Sequence, residues 1–354
     1  MLRIATSVST YPFFNFRYLK LMDELAKRFE FYCFAGSSLP SKVGQAATRA
    51  KVIRVLPFRV PRRIMYKIRP LVSGMWINAV QPDVVWLFDT AGPMLPLMFE
   101  KPVVLDAEDP YILLPGNKSR LKTLNEFRLL REKSVEAIVV TTEIIRRKFI
   151  KLGIEPKKIH VIPYGVDVRL FQPSPLPKEP LVLYYGTFQE HRARLLAEVV
   201  EHTCRMDAEV KFLLVGDVPA WFKHRIERMG CRDRAQMPGF IPHDELPKWL
   251  EKARICLLPQ DRSLGGRLSF KLLEYMAAGR PVVATDVEES FPVRESGAGV
   301  VVPVDAKAMA EAIVELLRDS KAAEEMARKG IHYSRKYDWE LMVRKYVALF
   351  EGLS

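Results

Sequence analysis

The sequence predicts an α/β protein made of two doubly wound parallel sheets. Three observations predict it. Short β-rich runs alternate with helical stretches along the 354 residues. The runs are continuously apolar rather than alternating, as strands buried on both faces must be. One proline-rich break divides the alternation into two similar halves, and a chain of this length can bury a core in each.

In the first half the strand candidates are Leu2–Val8, Phe29–Ala35, Val52–Pro57, Asp83–Phe88, Pro102–Asp106, Ala137–Thr142 and Ile159–Pro163. Helical patterns stand between them, among them Tyr18–Arg28, Lys122–Val135 and Glu143–Leu152. The break is Phe171–Pro180, with four prolines in ten residues. Proline fixes φ and donates no hydrogen bond, so this stretch reads as a linker. The alternation restarts with Leu181–Gly186, Val210–Val215, Ala235–Met237, Ile255–Pro259, Pro281–Thr285 and Val300–Val304. The expected domains are 1–170 and 171–338, facing each other across a cleft, with the helical segment 339–354 packing back on the first. In such sheets ligands bind outside the carboxyl ends of the strands.

Charge separates the halves. Residues 1–170 hold 28 basic and 15 acidic side chains; residues 171–354 hold 27 of each, so the net +13 belongs to the first half. No acid occurs between Glu30 and Asp83. A field this one-sided attracts an anionic partner to one domain. The tract Phe58–Trp76 mixes Arg59, Arg62, Arg63, Lys67 and Arg69 with large apolar groups. That composition suits an anionic bilayer surface or a lipid-phosphate acceptor; a helix with a core face and a solvated basic face would look the same. No nucleic-acid motif accompanies the charge, so nucleic acid is not expected as a partner.

No apolar run is long enough to span a bilayer. Met1–Val8 reads as a first strand and not as a signal peptide. Cys33, Cys204, Cys231 and Cys256 form no CxxC pair and read as buried thiols. Together these place the protein in the cytoplasm, peripheral on the inner face of the membrane if the basic tract binds there.

The most informative segment is Gly265–Thr285, in which a glycine pair precedes a helix that Ser269 is expected to cap, and Gly279 and Pro281 end it. A glycine-rich loop entering a helix offers backbone N–H groups and a positive dipole end to a phosphate. Lys271 and Glu274 share a helix face; the cation suits a diphosphate, the carboxylate the paired hydroxyls of a ribose. The plain alternative is a solvated i,i+3 ion pair.

This segment resembles the signature of the retaining family-4, or group 1, glycosyltransferases of GT-B fold, which have two Rossmann-like domains. Val161-Ile162-Pro163-Tyr164-Gly165-Val166-Asp167, Leu183–Phe188 with Arg192 after it, Leu213–Asp217, and Pro238–Pro242 with Asp244-Glu245-Leu246 follow in the family's order. The resemblance implies transfer of a sugar from a nucleotide-diphosphate sugar, a co-substrate, with no bound cofactor or metal. It implies Glu274 at the ribose, the backbone of Phe240 and Ile241 at the base, Arg192, Lys271 and Ser269 near the diphosphate, and Gly165 in a bend beneath it. Three places depart from the family pattern. Gly266 stands where the first glutamate of the pair belongs, Thr187 replaces an arginine, and Ser9–Asn15 replaces a glycine-rich loop.

Glu108 and Asp109 close the strand at Asp106 where many relatives have His-Asp, and would orient the acceptor hydroxyl or help take its proton. They could instead cap the next helix, or Asp106 and Glu108 could hold a hard cation. Of six histidines, His191 is singled out because it adjoins Arg192; the others read as surface or packing residues. Two rival functions share the architecture: a sugar-nucleotide epimerase, and a non-catalytic nucleotide-binding scaffold.

Overall fold

A computed structural model describes residues 1–8, 16–35, 50–54, 72–88, 99–114, 116 and 120–353. Among these residues, two parallel sheets form. The first, of seven strands, has the order β3-β2-β1-β4-β5-β6-β7: β1 Arg3–Val8, β2 Glu30–Ala35, β3 Lys51–Arg54, β4 Val84–Phe88, β5 Val103–Asp106, β6 Val135–Val140 and β7 Ile159–Val161. The second, of six, has the order β10-β9-β8-β11-β12-β13: β8 Leu181–Tyr185, β9 Lys211–Val215, β10 Ala235–Gly239, β11 Ile255–Leu258, β12 Val282–Thr285 and β13 Gly299–Val302. In each, the first strand of the half lies inside the sheet and the order reverses beside it, which is the doubly wound pattern.

Every strand expected from the sequence is present, with ends moved by local chemistry. The strand expected at Ala137–Thr142 runs from Val135 to Val140. Thr142 leaves it to cap the helix Glu143–Lys151, its Oγ1 accepting from the Ile145 N–H at 3.1 Å. The helix expected to reach Val135 stops at Leu130. A turn follows, closed by the Val135 N–H bonding Glu132 O at 3.1 Å, and Val135 begins β6. The third strand is described only to Arg54; the rest of its expected span lies outside the described residues.

The chain divides into two compact units. The first comprises Met1–Tyr164, Gly265–Leu268 and Glu340–Ser354; the second comprises Gly165–Leu264 and Ser269–Trp339. In the first unit, the C-terminal helix Trp339–Glu351 brings Tyr346 and Phe350 to the indole of Trp86, with ring centroids 5.2 and 5.5 Å away. Trp86, Tyr346 and Phe350 are fully buried. In the second unit, the helices Glu190–Met206 and Ala306–Arg318 contribute Leu196, Val200, Met309 and Ile313 to a core shared with Val182, Phe212 and Leu214 of the sheet. All four cysteines are buried free thiols. Among the described residues no helix is long and apolar enough to cross a membrane.

Candidate active site

All seven predicted donor residues lie in the second unit, and Lys271 sits at the carboxyl end of its inner strand β8. β8 and β9 are followed at once by Gly186 and Gly216, at φ of 137° and 138°. Both positions need glycine for space as well as conformation. A Cβ on Gly216 would stand 2.2 Å from Gly186 O, and one on Gly186 would stand 2.3 Å from Lys271 Nζ. The Lys271 ammonium therefore lies against bare backbone at the end of β8. It also lies 4.7 Å from the Tyr184 ring centroid and 5.8 Å from that of Tyr185, within cation–π range.

The loop after β8 is braced from beneath. Tyr184 Oη donates to Thr187 O at 2.8 Å. Arg192, only 6% exposed, donates to Thr187 Oγ1 at 3.2 Å and to Gln260 Oε1 at 3.0 Å. Its guanidinium thus ties the loop after β8 to the loop after β11. Thr187, read from the sequence as a lost arginine, is a hub of this brace. His191 stands beside Asp261, Nε2 to Oδ1 at 3.5 Å, and burial holds it below the usual histidine range.

Glu274 lies on the helix Phe270–Ala277 and is buried, 6% exposed. Its Oε1 is 2.6 Å from His243 Nε2; its Oε2 is buried with no hydrogen-bond partner. Burial pushes the carboxyl well above the ordinary glutamate value. Burial also lowers His243, against the opposing pull of Asp244 and Asp167. The His243 ring is held edge-on to Phe171, at 5.3 Å and 66°. Three residues before it, Phe240 is 81% exposed and Ile241 is half-buried, on the loop leaving β10.

One expectation changes on the structure, and two glycine sites gain neighbours that the sequence did not show. Ser269 occupies the N-cap position of Phe270–Ala277 with extended backbone, but its side chain makes no capping bond; the helix starts on the backbone bond from Leu272 N–H to Ser269 O at 3.2 Å. Gly165 carries the chain past an aromatic side chain: a Cβ there would come 2.4 Å from the Trp339 indole. Gly265 and Gly266, at φ of 93° and 85°, belong to the first unit. There Thr142 Oγ1 donates to Gly266 O at 2.7 Å, Lys148 Nζ donates to Gly265 O at 3.2 Å, and Gly265 packs against Leu113.

In the first unit, the three acids at the end of β5 diverge. Asp106 is fully buried and accepts from Tyr346 Oη. Glu108 accepts from Tyr164 Oη at 2.5 Å, and Asp109 pairs with Arg267 at 2.6 Å. Each carboxylate faces a different partner, and among the described residues no group of three or more His, Cys, Asp or Glu could hold a metal ion. Arg59, Arg62, Arg63, Lys67 and Arg69 lie outside the described residues.

Sequence reasoning missed His243, Trp339 and Thr142. The dipeptide His243-Asp244 carries no spacing that links it to Glu274, and neither glycine contact is encoded near its partner in sequence. Only the fold brings these pairs together.

Two parallel sheets of this strand order define the class, an α/β chain of GT-B type. At that level the fold matches sucrose-phosphate synthase from Thermosynechococcus elongatus, with a TM-score of 0.80 and 18% identity over 100% of this chain and 99% of that one. It also matches Anabaena Alr3699/HepE, solved in complex with UDP and glucose, with a TM-score of 0.79 and 17% identity over the whole of both chains. Family comparison is more specific. Residues 17–170 match the family described as Glycosyltransferase Family 4, and residues 179–319 match the one described as Glycosyl transferases group 1. The chain therefore carries a glycosyltransferase domain of each kind, in that order. Among curated relatives, a phosphatidyl-myo-inositol mannosyltransferase of Mycobacterium leprae is 26% identical over 340 residues, 92% of this chain and 84% of that protein. The alpha-D-kanosaminyltransferase of Streptomyces kanamyceticus is 32% identical over 172 residues, 47% of this chain and 41% of that protein.

Proposed function

We propose that this protein is a retaining glycosyltransferase. It moves a hexose-like sugar from a nucleotide-diphosphate sugar to a lipid-linked or glycan acceptor at a membrane surface on the cytoplasmic side. The observation that carries the donor half is Glu274: a buried carboxylate with one oxygen bound by His243 and the other without a partner. A buried acceptor left unsatisfied is costly, and a ribose hydroxyl would satisfy it.

Lys271, on the same helix as that carboxylate and at the bare backbone of Gly186, supplies positive charge. In this reading the ammonium and the N-terminus of Phe270–Ala277 offset the charge that grows on the departing nucleotide diphosphate, so the transfer needs no metal ion. Phe240 and Ile241 flank the base. Arg192 acts by holding the Thr187 loop in place. Glu108 and Asp109 belong to the acceptor half, where a carboxylate orients the attacking hydroxyl. The lipid-linked acceptor rests on the basic excess of residues 1–170 and on relatives such as the phosphatidyl-myo-inositol mannosyltransferase.

The test is transfer itself. The protein is incubated with UDP-, GDP- and ADP-sugars and with vesicles containing anionic lipid and phosphoinositide, with and without chelator. Product with the donor's anomeric configuration, formed in the presence of chelator, is expected. An inverted product, or activity abolished by chelator, contradicts the retaining, metal-independent reading.

A further inference from the structure

We infer that His243 is a positioning residue for the donor: it turns the Glu274 carboxylate so that one oxygen is occupied and the other is presented to the paired hydroxyls of a nucleoside. The inference rests on the donor reading above and adds a residue that neither the family match nor the motif assigns.

Three observations carry it. The first is the bond itself, His243 Nε2 to Glu274 Oε1 at 2.6 Å, between residues 31 apart in sequence. The second is the asymmetry of the carboxylate, whose Oε2 is buried with no partner. The last torsion of a glutamate is broad and nearly two-fold. Without a fixed partner the two oxygens would exchange places, and the unsatisfied one would have no defined direction. The third is that His243 is itself fixed: its ring stands against Phe171, which is 1% exposed. Asp167 and Asp244 are the charged groups beside the ring. A site is selective when its contacting group is held by a supporting layer, and His243 is that layer for Glu274.

The chemistry recognised is a vicinal diol on a nucleotide. An oriented carboxylate oxygen accepts from a ribose hydroxyl; a nucleotide lacking both hydroxyls leaves it unpaired. Positioning therefore shows as discrimination between ribose and dideoxyribose, which a general weakening of the fold does not change. His243→Phe keeps a ring against Phe171 and removes the nitrogen. His243→Gln places its amide near the position of Nε2 and restores a hydrogen-bonding partner. His243→Asn is too short to reach.

The experiment measures, by calorimetric titration of the full chain, UDP, GDP, ADP and their 2′,3′-dideoxy analogues against wild type and the three variants. Thermal melts confirm that each variant folds. Wild type should prefer the ribose form of its nucleotide by about ten-fold, the scale of one hydrogen bond to a buried acceptor. His243→Phe and His243→Asn should lose most of that preference while binding the dideoxy form within about two-fold of wild type, and His243→Gln should recover much of it. If His243→Phe does not fold, the contrast between His243→Gln and His243→Asn carries the same test. Equal weakening of both nucleotides, or an undiminished preference in His243→Phe and His243→Asn, overturns the inference and leaves the donor reading standing. No binding of any diphosphate to wild type overturns both.

Discussion

The Tyr346 hydroxyl donates to the Asp106 carboxylate, joining the C-terminal helix to the end of β5 across 240 residues of sequence. Both residues are fully buried. Removing the donor leaves a buried carboxylate short of a partner, at a cost of about 1–3 kcal/mol. Tyr346→Phe, which keeps the ring against Trp86, is expected to lower stability by that amount in urea unfolding followed by tryptophan fluorescence. An unchanged midpoint would mean the bond is not formed in solution.

Gly165 makes a second, steric prediction. A methyl group there would overlap the Trp339 indole at 2.4 Å. Overpacking of this kind costs about 1–3 kcal/mol. Gly165→Ala should lower the melting temperature, and Gly165→Ala combined with Trp339→Leu should recover part of the loss. If the double variant is no more stable than the single, the clash is not the cause.

The Glu274–His243 pair predicts two opposite pH dependences. Burial raises Glu274 above its ordinary 4.5. The folded protein then holds a proton that the unfolded chain releases, so this group's contribution is complete below about pH 4.5 and declines as pH rises. Burial lowers His243 from 6.5. Its contribution is present above about pH 6.5 and declines as pH falls toward the lowered value. The stability of wild type relative to Glu274→Gln should therefore shrink as pH increases from 4.5, and that relative to His243→Phe should grow as pH approaches 6.5. Urea unfolding across pH 4–8 measures both, and differences that do not vary with pH would contradict the assignment.

The thiols give a fourth prediction. Burial pushes Cys33 and Cys204 up to about 12, and Cys256 higher still. A thiol reacts as thiolate, so the folded protein should resist a disulfide reagent at neutral pH. All four thiols should react once the chain is unfolded in urea. Rapid labelling of the native protein would contradict their burial.

The strands were legible because each central strand is buried on both faces and must be apolar throughout. Leu181–Tyr185 and Val282–Thr285 could hardly be anything else between their flanking glycines and prolines. Glu274 and Lys271 were legible as a pair because one helix turn joins them. What the sequence did not carry is side-chain traffic between distant elements. Lys271 turns toward the Tyr184 and Tyr185 rings and Glu274 toward His243, so a shared helix face does not give a shared partner. Arg192 has the composition of a phosphate ligand, yet it is buried against Thr187 and Gln260. Arg192 lies on the helix Glu190–Met206, and the motif could not say which groups its guanidinium would meet there.

The donor reading stands or falls with Glu274 belonging to a nucleotide site. The most direct measurement is the thermal stability of wild type and Glu274→Ala with UDP, GDP and ADP at rising concentration. A ligand at 100 times its dissociation constant adds about 2.7 kcal/mol of stability. A concentration-dependent rise with one nucleotide is expected for wild type, and a much smaller one for Glu274→Ala. An equal rise in both proteins, or no rise with any nucleotide, would contradict it.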